Sequence, residues 1–327
     1  MPYFLQSSVR LAAGFAGLVL AFCACAQEFP SRPLRIVVPY PPGGGPDIVA
    51  RGLAVGMSKN LGQPVVVENK AGGGGVPAVM DLKNSLPDGH TLFLPDSSQW
   101  AVFPAVRDDL PYDVLKDFAA IGLVYSNNLF IFVGGNSPFR TLNDLVSRAR
   151  EKPGSLRYGM SGIGGIMHIV GEAFRLSTNV TTIAVPFRNS AAAAAAVISG
   201  DLDYAVAGLQ SIRSLAQAGR LRILATAASK RDRVVPDVPT VIESTGIKEF
   251  NFVAEVGLVA RGGTPRPVIA RLAKSLADGQ KEPAYLDALK KLEYDVASNT
   301  PEEFAVQIRG DLEHFRRVVK SANIKAE

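Results

Sequence analysis

The residues of this chain whose types and spacing could do chemistry on a small molecule gather at two glycine-rich turns. One is Tyr40-Pro41-Pro42-Gly43-Gly44-Gly45, followed by Pro46 and Asp47. The other is Ser161-Gly162-Ile163-Gly164-Gly165, with His168 one turn further on. Glycine lets a backbone approach a ligand closely and adopt positive φ. Free N–H groups at a helix start, together with the positive end of the helix dipole, attract an anion. A turn of this kind can equally be no more than a tight connection. Two of them, one in each half of the chain, favour binding. Neither turn is followed by the Lys of a G-x-x-x-x-G-K-[ST] loop, and the first lacks G-x-G-x-x-G spacing, so a nucleotide phosphate is not indicated. A small carboxylate, met by a few N–H groups and a hydroxyl or a water, suits such cradles.

Catalytic patterns are thin. Gly159-Met160-Ser161-Gly162-Ile163 approaches a nucleophile elbow, but Ile163 stands where G-x-S-x-G requires glycine. His90, His168 and His314 lie far apart without metal-ligand spacing. No enzyme activity, cofactor or metal is expected. Asp47, near a helix start, is expected to cap and order the first turn, since a carboxylate aimed at the ligand would repel an anion. His168 either touches the ligand or bonds to a neighbouring loop.

The elements that must position these turns read as alternating strands and helices, which implies βαβ units and a mostly parallel sheet. Residues 34–38 form a strand, 46–61 a helix, 65–68 and 91–94 two more strands, and 96–100 a loop. A second series starts at the strand 129–133. Thr141 then caps a helix, 156–159 is a strand, a helix runs through Glu172, 183–186 is a strand, 190–199 an Ala-rich helix and 204–207 a strand. In such sheets ligands bind outside the carboxyl ends of the strands, which is where both turns fall. Two apolar stretches, 121–125 and 252–260, cross between the series. At the end of the chain Thr300 caps a last helix with Phe304, Ile308, Leu312, Phe315 and Val319 on one face. The expected domains are residues 27–126 with 253–327 as lobe 1 and 127–252 as lobe 2.

The start of the chain reads as an export signal. Arg10 is the only charge before Glu28, an uncharged apolar run covers 11–26, and it ends in Ala24-Cys25-Ala26. The run is shorter than a spanning helix. Cleavage after Ala26 is expected, which removes both cysteines, Cys23 and Cys25, and with them any disulfide or thiolate site. About 300 mature residues suggest two domains. The precursor carries a net charge of +5, with basic and acidic residues interspersed, so the basic stripe of a nucleic-acid binder is missing.

The segments 35–47, 62–70 (Gly-Gln-Pro-Val-Val-Val-Glu-Asn-Lys), 87–92 (Pro-Asp-Gly-His-Thr-Leu) and 236–240 (Pro-Asp-Val-Pro-Thr) together resemble the receptors of tripartite tricarboxylate transporters, the Bug-type solute-binding proteins. The resemblance runs through the mature chain in order. It implies a type II-like periplasmic binding protein, with two α/β lobes of mostly parallel sheet joined by two crossing strands. It also implies a small carboxylate ligand, inner-membrane transporter subunits as partner, a periplasmic location and a monomer. A periplasmic sensing subunit of a two-component system, built on the same closing lobes, is the alternative.

The resemblance places contacts at Tyr40, Pro42, Gly43, Gly44 and Asp47; at Ser97, Ser98 and Trp100; at Ser161, Gly162, Gly164, Gly165 and His168; and at Arg188, Asn189 and Ala207. Three departures from the family pattern bear on the ligand. Trp100 and Phe103 stand where such receptors usually carry His and Asn. Phe187-Arg188-Asn189 replaces Tyr-Lys-Gly, and Ala207-Gly208 replaces an Asp. Trp100 reads equally as a platform for an aromatic acid and as a core residue packed on its own lobe; Arg188 is the nearest candidate to pair with a second carboxylate and is otherwise a solvated surface charge.

Overall fold

The computed structural model describes residues 29–161, 164–322 and 324, so the export signal and Gly162 lie outside the described residues. The apolar run Leu34–Val38 is strand β1, and it passes through the first glycine turn into helix α1, Gly45–Leu61. Strand β2 (Val65–Asn69), helix α2 (Val76–Lys83) and strand β3 (Thr91–Phe93) follow. β1 lies between β2 and β3, parallel to both. The segment expected as a loop after β3 is instead a π-helical turn, Ser98–Val102, continuing into a short helix α3, Phe103–Val106. Trp100, Ala101 and Val102 are all buried, and a helical turn satisfies their backbone groups where water cannot reach.

After helix α4 (Val114–Asp117) comes strand β4, Phe118–Gly134. It unites the expected crossing stretch and the expected first strand of the second series in one extended segment. Its sequence shows why: two apolar runs flank Ser126-Asn127-Asn128, which is half-buried where the strand leaves one layer for the next.

Helix α5 (Leu142–Glu151), β5 (Arg157–Ser161), α6 (Ile166–Thr178), β6 (Ile183–Phe187), α7 (Ser190–Ser199), β7 (Tyr204–Gly208), α8 (Leu209–Gln217) and β8 (Leu221–Thr226) build the second lobe. There β5 runs parallel to β6 and β7. The short helix α9 (Val241–Thr245) precedes β9 (Val253–Arg261), which returns to the first lobe. Helices α10 (Arg266–Gly279) and α11 (Pro283–Leu292), the two-residue strand β10 (Asp295–Val296) and the long helix α12 (Pro301–Ala322) end the chain.

The strands follow the order β2-β1-β3-β9-β4-β7-β5-β6, with β8 and β10 also pairing β4. β4 pairs β9 from Phe118 to Asn128 and then changes partners, meeting β7 and β8 from Leu129 onward. The two lobes therefore share one continuous strand, and β9 is the second crossing. α12 buries Phe304, Ile308, Leu312, Phe315 and Val319, the face its periodicity predicts.

Candidate functional site

The carboxyl ends of β1, β3, β5 and β7 carry the turns that the sequence singles out. At the end of β1, Pro41, Pro42 and Gly43 are exposed. Gly43 has φ +79°, a conformation glycine adopts without strain. Its N–H donates to Asp47 Oδ2 at 2.9 Å, and Asp47 also accepts from Asn69 Nδ2 at 2.9 Å and Arg51 Nε at 3.0 Å. Asp47 is only 3% exposed. Burial works to raise its pKa, but the bonds from Arg51, the Gly43 amide and Asn69 outweigh that and hold it below the ordinary carboxylate range. Asp47 is thus the clamp of the turn, and its charge is turned inward. Gly44 is the N-cap of α1, with no side chain capping the helix. A Cβ on Gly45 would meet the Tyr294 hydroxyl at 2.5 Å, so glycine there permits close approach of that phenol. Tyr294 in turn stacks on Tyr125 at 4.8 Å.

Tyr40 is half-buried and donates its hydroxyl to Asp96 Oδ2. Burial, then the charge of Asp96, push this phenol well above its ordinary pKa and keep it a donor. Asp96 also accepts the Ser98 N–H at 2.7 Å, and burial raises its own pKa. Ser98 therefore stays beside Tyr40. Ser97 is 4% exposed and faces a separate cavity with Glu255 and Asp311 rather than the turns.

Trp100 corrects an expectation. It has 0% exposure, its indole N–H donates to Asp311 Oδ2 at 3.0 Å, and its ring meets Phe304 edge-on at 5.3 Å. Both ring faces are committed to the core, so Trp100 offers no stacking surface to a ligand in this conformation.

In the second lobe β5 ends at Ser161, level with Phe187 of β6. Gly164 has φ +70°, and its N–H donates to His168 Nδ1 at 3.1 Å. That amide is therefore engaged, contrary to its expected role as a free donor, and His168 serves as its acceptor. Burial lowers the His168 pKa, partly opposed by Glu172, which keeps the imidazole neutral and able to accept. Gly165 is the N-cap of α6, again without a side-chain cap. Gly208 stands in the same relation to α8. A Cβ on Gly208 would meet Asn127 Nδ2 of the crossing strand at 2.7 Å.

Two further expectations change. The Asn189 side-chain oxygen accepts the Ala192 N–H at 2.9 Å as the cap of α7, which leaves only its amide nitrogen for other partners. Ala207 is buried among the apolar side chains under β7 and presents no side chain to a ligand. Arg188 is exposed at the end of β6, the edge strand.

The helix starts differ in how their first amides are met. Gly44, Gly165 and Gly208 open α1, α6 and α8 at the carboxyl ends of β1, β5 and β7, and none has a side-chain cap. Thr141, Thr240 and Thr300 open α5, α9 and α12 and bond to the N–H three residues on, as N-caps do. Three of the four helix starts that directly follow β1, β5, β6 and β7 are thus uncapped, the exception being α7 behind Asn189, and α2, α3, α10 and α11 also begin without a side-chain cap. Gly208 shows the same strand–glycine–helix pattern as the other two, a signal present in the sequence at Ala207-Gly208. Tyr294 and Asn127 had no local signal, because each meets its glycine across a long stretch of chain. The lobes also touch through Gly164, whose Cβ position lies 3.2 Å from Val106, through Arg233–Asp295 at 3.1 Å, and through the pair Arg213–Glu293. Among the described residues no group of His, Cys, Asp and Glu is arranged to hold a metal.

Two α/β lobes sharing crossing strands, with glycine-capped helix starts at the strand ends of each, define a two-lobed solute-binding protein. The chain belongs to the tripartite tricarboxylate transporter receptor family, whose family model matches residues 49–324. It is 32% identical to the UPF0065 protein in the tcbD-tcbE intergenic region of Pseudomonas sp. (strain P51), across 97% of this chain and 95% of that one. Among solved structures it is similar to an R. palustris protein with adipate, at 26% identity and a TM-score of 0.76, covering 91% of this chain and 99% of that one. MatC from Rhodopseudomonas palustris with bound malate is 28% identical with a TM-score of 0.72, covering 89% and 100%.

Proposed function

We propose that this protein is an exported periplasmic receptor that captures a small carboxylate between its lobes and delivers it to inner-membrane subunits of a tripartite tricarboxylate transporter. In this reading residues 1–26 are removed, the mature protein is a monomer, and the lobes are 27–126 with 253–327 and 127–252. The observation that carries the proposal is the set of uncapped helix starts at Gly44, Gly165 and Gly208. With no side-chain cap, the helix-start N–H groups remain available to an acceptor, and a carboxylate supplies one with the charge that the helix dipoles favour. Two family structures, solved with adipate and with malate, support a dicarboxylate of four to six carbons. Pro42, Gly43 and Gly44 line one side, with Tyr40 and Ser98 next to them; Gly165, at the start of α6, lines the other. Asp47 and His168 set the turns and do not touch the ligand.

The test is calorimetric titration of the mature protein with malate, adipate and an aromatic dicarboxylate. A ligand bound by the native state alone also raises the melting temperature. At least one dicarboxylate is expected to bind in the micromolar range, and Gly44→Ala should weaken it about tenfold, corresponding to about 1.4 kcal/mol. If no carboxylate binds, or if Gly44→Ala binds as tightly as the parent, the cradle assignment is wrong.

A further inference from the structure

A cavity of about 280 Å³ lies beside α12, where β9 enters the first lobe. Its lining includes Ser97 from the segment after β3, Phe252 and Glu255 at the start of β9, and Asp311, His314 and Phe315 from α12. A wider groove of about 670 Å³ shares Phe252, Asp311 and His314 with it and provides a way in from solvent.

The cavity holds two carboxylates and no cation to match them. Among the described residues neither Glu255 nor Asp311 takes part in an ion pair. Glu255 accepts from Gln307 and Asp311 from Trp100, both neutral donors. A buried charge without a counter-charge is costly. Two further polar groups are unused. Ser97 is 4% exposed, and its hydroxyl has no hydrogen-bond partner among the described residues. His314 Nε2 is buried and likewise unpartnered.

The rest of the wall is aromatic. Phe252 lies 5.2 Å from the His314 ring, 6.0 Å from Phe315 and 4.8 Å from Phe250. Carboxylates beside aromatic faces are the chemistry that holds organic cations. A metal ion is a poor fit, because among the described residues the His, Asp and Glu side chains do not converge on one point. We propose that this cavity is a second binding site, for a small organic ammonium ion held between Glu255 and Asp311 against Phe252 and Phe315.

The titration of the site supports the assignment. Burial, then the charge of Asp311, push Glu255 up to about 7, and burial also raises Asp311. Burial, with Arg317 acting in the same direction and Glu249 against it, lowers His314 and keeps it from supplying the missing positive charge. Protons and the ammonium ion therefore compete for Glu255, and occupancy should rise as pH rises through 7. Glu255 faces Ser126 of β4 in the crossing ladder, so the occupant would sit at the strands that join the lobes.

Trp100, the only tryptophan, donates to Asp311 and reports directly on the cavity. Titrating the mature protein with tetramethylammonium chloride at pH 8 should change Trp100 emission saturably and raise the melting temperature, whereas sodium chloride at equal ionic strength should not. At pH 6 the apparent affinity should fall about tenfold. Glu255→Gln should abolish the response, and Asp311→Asn, which retains an acceptor for the indole, gives a second independent loss. Carboxylate binding at the glycine turns, measured in parallel, separates this site from the first. The proposal is overturned if tetramethylammonium acts no differently from sodium, or if both variants respond like the parent.

Discussion

The two glycine turns solve one problem with different chemistry. In each, a glycine with left-handed φ donates its N–H to the side chain four residues on: Gly43 to Asp47 and Gly164 to His168. The side chain comes from the first turn of the following helix, so helix and turn brace one another and the helix-start amides are left for a ligand. The first clamp is an ionised carboxylate with three partners, its pKa held low. The second is a neutral imidazole, its pKa lowered by burial. The first turn should therefore be rigid and indifferent to pH above the carboxylate range, and the second weaker and sensitive to acid.

The sharpest way to break this comparison is to remove the stronger clamp. Asp47→Ala leaves the Gly43 amide, the Asn69 amide and Arg51 without their acceptor. Hydrogen bonds to a charged group contribute about 1.5–3 kcal/mol, discounted here because Arg51 is half-exposed, so a net loss of about 3 kcal/mol is expected in denaturant unfolding. Carboxylate affinity should fall with it. A loss below about 1 kcal/mol, no larger than for the second clamp, would mean that the turn holds its shape without Asp47.

Next in size is a contrast between glycines. Gly164 has φ +70° and its Cβ position lies 3.2 Å from Val106, so Gly164→Ala combines a left-handed non-glycine residue with a crowded neighbour. About 1–2 kcal/mol of destabilisation is expected by chemical denaturation. Gly44 has φ −74° and ψ 164°, open to any residue, and its Cβ position meets the Pro41 carbonyl at 3.3 Å and Pro46 Cδ at an ordinary 3.9 Å. Gly44→Ala should stay within about 0.5 kcal/mol of the parent. Equal losses in the two variants would show that glycine is required at Gly44 for folding rather than for access to its amides.

What was legible in the sequence follows the same division between local and distant. The glycine turns, the cap at Asp47 and the apolar face of α12 are written within a few residues of one another, where periodicity and turn chemistry act. Position 100 shows the limit. A lone Trp after a strand end reads equally as a platform for ligands or as core, and only the approach of Asp311 and Phe304, some 200 residues further on, decides for the core. Asn189 shows the same local logic: a residue just before a helix caps it first, here through its side-chain oxygen. The continuity of β4 was obscured by Ser126-Asn127-Asn128, which looks like a break in a strand and is instead the polar seam where one strand passes between lobes.

The smallest expected effect tests the second clamp through pH. The His168 pKa in the folded protein lies below its unfolded value, so the unfolded chain binds the proton more readily. Stability from this group is therefore fully present above about pH 6.5 and declines as pH falls from there toward the folded pKa. Protonated Nδ1 carries its own hydrogen and cannot accept from Gly164, so carboxylate affinity should decline over the same window. His314, also lowered, adds a loss of stability of the same sign, so the informative quantity is the difference between the parent and His168→Gln. At pH 7.5 the variant should lose about 1 kcal/mol, the net contribution of one hydrogen bond. Between pH 7 and 5 it should lose less than the parent, in both stability and affinity. Parallel pH profiles would mean that His168 does not gate the second turn, and the contrast with the pH-indifferent clamp at Asp47 would not hold.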